Sequence, residues 1–239
     1  MTTQPQENTG VRLQGVNKGY RIGNEQVTIF DDLDLTIPEG DFVAVMGPSG
    51  SGKSTLLNMI GGIDRPDSGT ITCGFSKLNT MSEGAMGRWR ASNVGYVFQF
   101  YNLMPMLSAA QNVELPLLLT KLNVRQRKER VETVLKLVGL GNRAKHLPSE
   151  LSGGQMQRVG IARALAVDPK ILLCDEPTGD LDRKSADEIL EMLRVLNKEF
   201  GKTIVMVTHD DSACRFAKRT LRLDKGKFVE SSPITAQAA

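Results

Sequence analysis

Short apolar runs divide much of the chain into predicted strands. They read Phe-Val-Ala-Val-Met at residues 42–46, Ile-Leu-Leu-Cys at 171–174 and Ile-Val-Met-Val at 204–207, with a similar run at 94–98. Apolar runs of four or five residues without alternation are typical of strands buried on both faces, as in a parallel sheet. We therefore expect a central parallel sheet built from segments that lie far apart in the chain.

Two segments instead repeat their apolar residues at helical spacing. Residues 125–138 place them at i, i+3, i+4 and i+7, and residues 185–200 gather them on one face. This spacing predicts two amphipathic helices. The apolar positions are Val131, Val134, Leu135 and Val138 in the first helix, and Ile189, Leu190, Leu193 and Leu196 in the second.

Alternating apolar and polar residues mark the beginning and the end of the chain. Residues 11–13, 27–30 and 33–37 alternate and are separated by turn residues, which predicts a small antiparallel sheet with Tyr20 in its first loop. Near the other end, residues 221–223 and 228–229 predict a hairpin that turns at 224–227.

Helical patterns replace strand patterns from Phe100 to about residue 164. The chain therefore reads as an α/β fold in which an antiparallel sheet precedes the core and a helical segment, about residues 100–164, is inserted into it. We expect one domain over residues 11–230. The polar ends, residues 1–10 and 231–239, are predicted to be disordered.

Composition narrows the class of protein. The 239 residues are 40% hydrophobic with a formal net charge of +3, which is typical of a globular chain and only weak evidence for an anionic partner. The three cysteines, Cys73, Cys174 and Cys214, lack metal-ligand spacing and suggest free thiols in a reducing compartment.

No secretory signal or membrane span is visible, because no apolar run approaches the roughly 20 residues that a span needs. Any membrane role would have to come through a partner.

A glycine-rich segment follows the run at 42–46 and carries the clearest chemical signal. Residues 47–55 fit the phosphate-binding pattern G-x-x-x-x-G-K-[ST] between a strand and a helix. Glycines let backbone N–H groups turn toward a triphosphate, and the helix end adds its positive dipole. Lys53 would reach the β- and γ-phosphates, Ser54 would hold Mg²⁺ and Thr55 would donate to a phosphate. The predicted nucleotide contacts here are Gly47, Pro48, Ser49, Gly50, Ser51, Gly52, Lys53, Ser54 and Thr55.

Polar residues at the ends of other predicted strands extend this site. Asp175 and Glu176 follow the run at 171–174, where Asp175 would bind Mg²⁺ and Glu176 would polarise the attacking water. His209 follows the run at 204–207, whose strand is expected beside the phosphate-loop strand, so its imidazole would reach the γ-phosphate. Gln99 would offer its amide oxygen to Mg²⁺ or to the water. Tyr20 is either an ordinary core or surface aromatic or a platform for adenine.

A second anion-binding helix end is predicted at Ser152, Gly153, Gly154 and Gln155. Ser152 is a good helix N-cap, two glycines follow, and an apolar, arginine-bearing helix comes after them. The inserted segment would hold this helix end away from Lys53. We therefore expect two copies to meet head to tail, each completing the other's site.

The ordered set of motifs resembles the nucleotide-binding subunit of ATP-binding-cassette (ABC) transporters over about residues 11–229. The resemblance implies a P-loop NTPase (RecA-like) core with an antiparallel β subdomain and an inserted α-helical signature subdomain. It implies ATP hydrolysis with ATP and Mg²⁺ as cofactors, and it gives Tyr20, Gln99 and His209 functional roles. The motifs are Tyr20 as A-loop aromatic, residues 47–55 as Walker A, Gln99 as Q-loop, residues 151–155 as signature, residues 171–176 as Walker B, residues 181–182 as D-loop and His209 as switch.

Shorter segments resemble the lipoprotein-releasing and macrolide-exporter branch of that family. They are residues 61–66, 97–105, 112–117 and 175–179. This branch implies an ATPase that drives a separate permease with few transmembrane helices, for export, lipoprotein release or force transmission across the envelope. Met156, Gly160 and Asp180 depart from the usual pattern, and Asp180 lies at the D-loop contact between subunits.

The resemblance also implies the partners. They are a second copy of the chain and an integral membrane permease subunit that docks near residues 100–107, from Phe100 to Leu107, at the cytoplasmic face of the membrane. Flexible methionines in that stretch suit a moving partner, although they would equally suit the core of the helical insert. The competing interpretation is a soluble ABC-type ATPase acting on nucleic acid or ribosomes. Residues 99–151 are too short for the coiled coil of DNA-repair members. Ribosome-acting members carry two cassettes in one chain, whereas this sequence has one Walker A. No nucleic-acid partner is therefore expected.

Overall fold

Two sheets organise the chain in the computed structural model, which describes residues 10–23 and 25–229. Residues 1–9 and 231–239, most of the two ends predicted to be disordered, lie outside the described residues. Gly10 is buried, and its carbonyl accepts a hydrogen bond from the N–H of Gly74. The strands are β1 Val11–Ile22, β2 Glu25–Ile37, β3 Phe42–Met46, β4 Ser68–Cys73, β5 Ser76–Lys77, β6 Val94–Val97, β7 Ile171–Asp175, β8 Thr203–Thr208, β9 Arg219–Asp224 and β10 Lys227–Val229.

Helices fill the intervals between these strands, and several of them lie in the predicted insert. The helices are α1 Lys53–Ile60, α2 Glu83–Asn93, α3 Ala109–Glu114, α4 Val124–Leu137, α5 Gly153–Leu165, α6 Arg183–Phe200 and α7 Asp211–Cys214. Short 3₁₀ segments occur at Leu78–Thr80, Leu115–Leu119, Gly141–Arg143 and Pro148–Glu150. The two helices predicted from periodicity therefore exist as α4 and α6, within two residues of their predicted bounds.

The central sheet has the order β10-β9-β3-β8-β7-β6 and is parallel except for β10. β3 pairs directly with β8, which confirms that the strand before His209 lies beside the phosphate-loop strand. The predicted final hairpin is also confirmed, since Lys225 and Gly226 between β9 and β10 both have positive φ. Parallel strands end at one edge, so Gly47, Glu176 and His209 follow neighbouring strand ends.

Strand alternation divides the core into two apolar layers. Phe42 and Ala44 of β3 pack with the layer that contains α3 to α6, whereas Val43 and Val45 pack with α1 and the antiparallel sheet. All four side chains are almost fully buried. The continuous apolar runs in the sequence follow from this burial on both faces. Cys73, Cys174 and Cys214 are free and buried in these layers, as predicted.

The antiparallel sheet, of order β2-β1-β4-β5, was predicted only from residues before the phosphate loop, and β4 and β5, which follow that loop, complete it. β1 and β2 are long strands, so Tyr20 lies within β1 and the prediction that it lies in a loop is wrong. Their pairing shifts register between Leu13 and Gly19, and Gly15 and Asp32 have positive φ there. Such bulges interrupt the period-two pattern, and this interruption made two strands read as shorter runs.

Candidate functional site

The phosphate loop is shaped by close backbone approaches between β3 and α1. Gly50 and Gly52 have φ of 79° and 100°, a region that glycine tolerates best. A Cβ on Gly47 would stand 2.2 Å from the carbonyl oxygen of Leu223, so this position has no room for a side chain. The loop thus keeps its N–H groups free of side-chain obstruction at the start of α1.

Lys53 is held within this loop. Its buried ammonium donates to the carbonyl oxygens of Gly47 at 2.8 Å and Pro48 at 3.0 Å. The Oγ of Ser51 is buried and has no hydrogen-bond partner among the described residues. A buried cation and an unpaired hydroxyl in one loop suit an anionic ligand, because each would gain a partner from it.

A cleft of about 690 Å³ opens over the loop. It brings Glu176 and His209 to the same space as the phosphate loop, although they lie more than 120 residues later in the sequence. Tyr20, Gln99, Asp175 and the residues at 152–155 do not line it. The lining residues are Ile29, Ser49, Gly50, Gly52, Lys53, Ser54, Thr55, Glu176 and His209.

Asp175 lies at the end of β7 beside the first turn of α1. The Oγ of Ser54 is 3.5 Å from Oδ1 of Asp175. Burial raises the pKa of the Asp175 carboxyl, and the neighbouring Glu176 carboxylate adds to that rise, whereas Ser54 and Lys53 oppose it. A hydroxyl and a half-buried carboxylate are hard oxygen donors, so this pair fits Mg²⁺, and a divalent cation would stabilise the charge that burial penalises.

Glu176 and His209 form the closest ionisable contact in the cleft. Nδ1 of His209 lies 2.9 Å from Oε2 of Glu176. Glu176 adopts a left-handed φ of 45°, and its backbone N–H donates to the carbonyl of Val207 at 3.0 Å. A positive φ is unusual for glutamate and is held here by the contact with β8. The backbone therefore turns the Glu176 side chain toward the phosphate loop instead of continuing along β7.

Gln99 follows β6 and stands beside the turn after Glu176. Its Nε2 is 3.0 Å from the position that a Cβ on Gly179 would occupy. Gly179 thus leaves the space that the Gln99 amide fills. The structure brings Gln99 to the loop that follows Glu176.

Tyr20 projects from β1 toward the turn after α1. Its hydroxyl donates to Oδ2 of Asp64, and the Nζ of Lys18 lies 4.8 Å from the centre of its ring. Burial raises the pKa of the Tyr20 hydroxyl, and the Asp64 carboxylate raises it further. Sequence reasoning did not single out Lys18, and it noted Asp64 only as part of the segment 61–66, without a role at the site.

The second predicted anion site begins α5. Ser152 caps the helix, since its Oγ accepts from the N–H of Gln155 at 3.3 Å and its own N–H donates to Oε1 of Gln155 at 3.0 Å. This is the reciprocal arrangement of a capping box. Because the Gln155 side chain is engaged in the cap, Ser152 and the two glycines remain the groups best placed to face a ligand. The predicted N-cap is confirmed, and this helix end does not line the chain's own cleft.

Gln157, one turn further along α5, was missed by sequence reasoning. It is fully buried, and its Nε2 donates to the carbonyls of Phe98 at 3.2 Å and Pro177 at 2.6 Å. It therefore ties α5 to the segment that carries Gln99 and to the loop after Glu176. A lone glutamine on a helix gives no signal of such a role, since most are exposed.

Comparison with known proteins decides the family. The model of the ABC transporter family matches residues 30–179, well over half of the chain. The chain belongs to the ABC transporter family. The ABC cassette MJ0796, solved as a dimer in a post-hydrolysis state bound to ADP and Pi, superimposes with a TM-score of 0.86 and 42% identity over 95% of this chain and 99% of that one.

Two similar ABC proteins match the predicted branch. The lipoprotein-releasing system ATP-binding protein LolD of Chromohalobacter salexigens is 41% identical over 93% of this chain and 94% of its own length. The macrolide export ATP-binding/permease protein MacB 1/2 of Paracoccus denitrificans is 43% identical over 96% of this chain, which covers 34% of that longer protein.

These matches establish the coarse function. The chain is an ATP-binding ABC ATPase with the fold of the P-loop NTPases, and its relatives are ATP-binding subunits of transporters. Two solved structures of the similar cassette MJ0796 are dimers. Within residues 10–23 and 25–229, no helix has the length and apolar character needed to cross a membrane.

Proposed function

We propose that two copies of this chain bind two Mg·ATP between them and drive a separate membrane permease. Each nucleotide lies between the phosphate loop of one copy and the Ser152–Gly154 helix end of the other. The observation that carries the proposal is the position of that helix end, whose cap residue Ser152 is exposed and which is absent from the lining of its own cleft. The dimeric state of the similar cassette MJ0796 supports it.

Within this dimer, the chain's own groups have separate tasks. The loop residues from Gly47 to Thr55 hold the phosphates, with Lys53 exchanging its bonds to loop carbonyls for bonds to phosphate oxygens. Glu176 accepts a proton from the attacking water as its oxygen bonds to the γ-phosphorus and ADP leaves. His209 holds the Glu176 carboxylate in place and contacts the γ-phosphate. Tyr20 supports the adenine.

Ser54 and Asp175 are the residues that would hold Mg²⁺, and Gln99 would join them if the loop after Phe98 moved toward the cleft. When bound, the ion screens the charge of the phosphates and the leaving ADP. Gln155 acts indirectly by fixing Ser152 through the capping box, and Gly153 and Gly154 let the partner's phosphates approach the backbone.

The permease would dock on the exposed apolar surface near residues 100–107. Phe100, Met104 and Met106 are 68%, 53% and 88% exposed, so these methionines lie at the surface and not in the core of the insert. Phe98, two residues before Phe100, lines a groove of about 930 Å³ that runs between α2 and the 3₁₀ segment Leu115–Leu119. Docking there would place the chain at the cytoplasmic face of the membrane.

The charge of this groove indicates what the permease segment carries. Four cationic residues, Arg88, Arg90, Lys121 and Arg163, line it, and no acidic residue does. Its floor is apolar, with Tyr96 and Phe98 stacked at 4.4 Å. An amphipathic permease helix with an apolar face and a carboxylate at its edge fits this surface best.

The test is co-purification from native membranes. A tagged Glu176→Gln chain, which should trap the ATP-bound dimer, is purified with ATP and its partners are identified. An integral membrane protein is expected, and it should be lost when Met106→Glu is added. Phe75→Glu is the matched control, because Phe75 is 81% exposed on the β4–β5 turn. Recovery of only nucleic acid or ribosomal proteins would contradict the transport assignment and leave the ATPase.

A further inference from the structure

A buried cation lies directly beneath the proposed adenine platform. Lys18 is only 8% exposed, and its Nζ donates to Oδ1 of Asp64 and to the carbonyl of Arg65, both at 2.8 Å. The same ammonium stands 4.8 Å from the centre of the Tyr20 ring, within the range of a cation–π contact. The other carboxylate oxygen of Asp64 accepts from the Tyr20 hydroxyl. Three side chains thus form one closed cluster.

This cluster is fastened to the phosphate-loop helix. The backbone N–H of Asp64 donates to the carbonyl of Asn58 in α1 at 3.1 Å. The turn is joined to β1 as well, where Asp67 accepts from the N–H of Gly19 at 2.7 Å. The ring of Tyr20 is therefore tied through Asp64 to the C-terminal part of α1, and not held only by its own strand.

The arrangement leaves one part of Tyr20 available. Its hydroxyl is engaged by Asp64 and one ring face by Lys18, yet 37% of the residue is exposed. An aromatic ring in a fixed orientation loses little entropy when a base stacks on its free face. Burying a lysine ammonium costs free energy unless it is fully paired, and a buried lysine does not increase solubility. The position of Lys18 under this ring therefore indicates a structural role.

We propose that Lys18 and Asp64 are positioning residues that fix the Tyr20 ring at a set distance and angle from the phosphate loop. They act on the base end of the nucleotide only. The proposal rests on the proposed role of Tyr20 in supporting the adenine. It predicts that loss of Lys18 weakens binding of ligands that carry a base, and leaves binding of a bare polyphosphate unchanged.

The test compares ATP with inorganic tripolyphosphate, each with Mg²⁺, on the purified full chain. Stacking of a base on an aromatic ring contributes about 1–3 kcal/mol, so Tyr20→Ala should weaken ATP binding by roughly 5- to 150-fold. Lys18→Met keeps the aliphatic stem and should weaken it about 3- to 10-fold through lost orientation. KM for ATP should rise by a similar factor with kcat unchanged, and tripolyphosphate should bind all three proteins equally.

Lys202→Met is the matched control. Lys202 is also mostly buried, donating to Asp168 at 2.7 Å and to the carbonyl of Pro169 at 2.8 Å, but without an aromatic ring. It should leave both affinities unchanged. If it weakens ATP binding as Lys18→Met does, or if Lys18→Met weakens tripolyphosphate equally, the effect is general and the proposal fails.

A double variant separates this proposal from the function on which it rests. If Lys18 acts through Tyr20, adding Lys18→Met to Tyr20→Ala should cause no further loss of ATP affinity. A full additional loss would overturn the positioning role. If Tyr20→Ala binds ATP normally, the base-stacking role itself fails. If only Lys18→Met is without effect, Tyr20 stands and the role of Lys18 is wrong.

Discussion

Nδ1 of His209 lies 2.9 Å from Oε2 of Glu176, across the cleft edge where β8 and β7 end. The imidazole of His209 is mostly exposed, whereas Glu176 is largely buried and has a positive φ. Both residues line the same cleft as Lys53 and the phosphate loop. We therefore expect hydrolysis to take place beside this contact.

Glu176→Gln should lower ATP turnover by roughly 10²–10⁴-fold, because an amide does not accept the proton of the attacking water. Dimerisation with ATP should persist, since the phosphate loop and the Ser152 helix end are unchanged. Steady-state phosphate release and gel filtration with ATP check the two expectations. Unchanged turnover would exclude Glu176 as the general base.

His209→Ala should lower turnover while leaving ATP affinity within about threefold, because His209 orients Glu176 and the phosphate loop supplies most of the binding. His146→Ala is the control. It removes the other histidine of the chain, which contacts Arg143 away from the cleft. Equal losses in the two variants would argue against a specific role for His209.

The effect of Mg²⁺ on ATP binding should depend on Asp175. In the unaltered chain, EDTA should weaken ATP binding and stop hydrolysis. Asp175→Asn keeps an oxygen near Ser54 but removes the charge, so the ratio of ATP affinities with and without Mg²⁺ should fall toward one. Titrations in Mg²⁺ and in EDTA measure that ratio. A ratio as large as in the unaltered chain would remove Asp175 from the metal site.

Gly160→Ala should stabilise the chain by up to about 1 kcal/mol, because glycine inside a helix is unfavourable by that amount. The added Cβ would meet Oε1 of Gln157 at 3.5 Å and the carbonyl of Tyr101 at 3.8 Å, which are ordinary contacts. Gly87→Ala in α2 is the control, as its Cβ would meet nothing within 4 Å. Urea unfolding measures both. Destabilisation by Gly160→Ala alone would mean that α5 and Tyr101 are packed too closely for a methyl group.

Sequence patterns were most informative where burial and chemistry coincide. The runs that became β3, β7 and β8 are buried on both faces, so their apolar character left no ambiguity. The phosphate loop, Glu176 and His209 follow these strands directly. The strands and the candidate site could therefore be predicted together, because the candidate site residues come directly after the strand ends in the sequence.

Elements that depend on irregular backbone or distant contacts could not be predicted. α2 buries only Met86 and Trp89, so its apolar pattern is too sparse to signal a helix. The bulges in β1 and β2 concealed two long strands. Lys18 and Gln157 acquire roles only from carbonyls and rings that the fold brings to them. Neither residue type at its position indicates such contacts.

Acid should weaken the contribution of the Lys202–Asp168 pair to stability. The hydrogen bond from Lys202 lowers the pKa of Asp168, against the opposing effect of burial. A carboxyl with a lowered folded-state pKa contributes stability above its unfolded pKa, near 3.9, and loses it as pH falls through the folded value. Because Asp168 is largely exposed, we expect no more than about 1 kcal/mol at neutral pH. The difference in unfolding free energy between the unaltered chain and Lys202→Met should shrink below about pH 4; a difference that grows on acidification would contradict the assignment.

Gln157→Met should destabilise the chain although it conserves volume. The buried amide donates to the carbonyls of Phe98 and Pro177, and methionine would leave both without that donor, at about 1–3 kcal/mol. Gln126→Met is the exposed comparison: it removes the bond that Oε1 accepts from the N–H of Asn123, which water can replace, and should cost less than about 1 kcal/mol. Since Phe98 precedes Gln99 and Pro177 follows Glu176, turnover should fall further than stability alone explains, while tripolyphosphate still binds. Normal turnover in a folded Gln157→Met chain would limit this residue to the packing of α5.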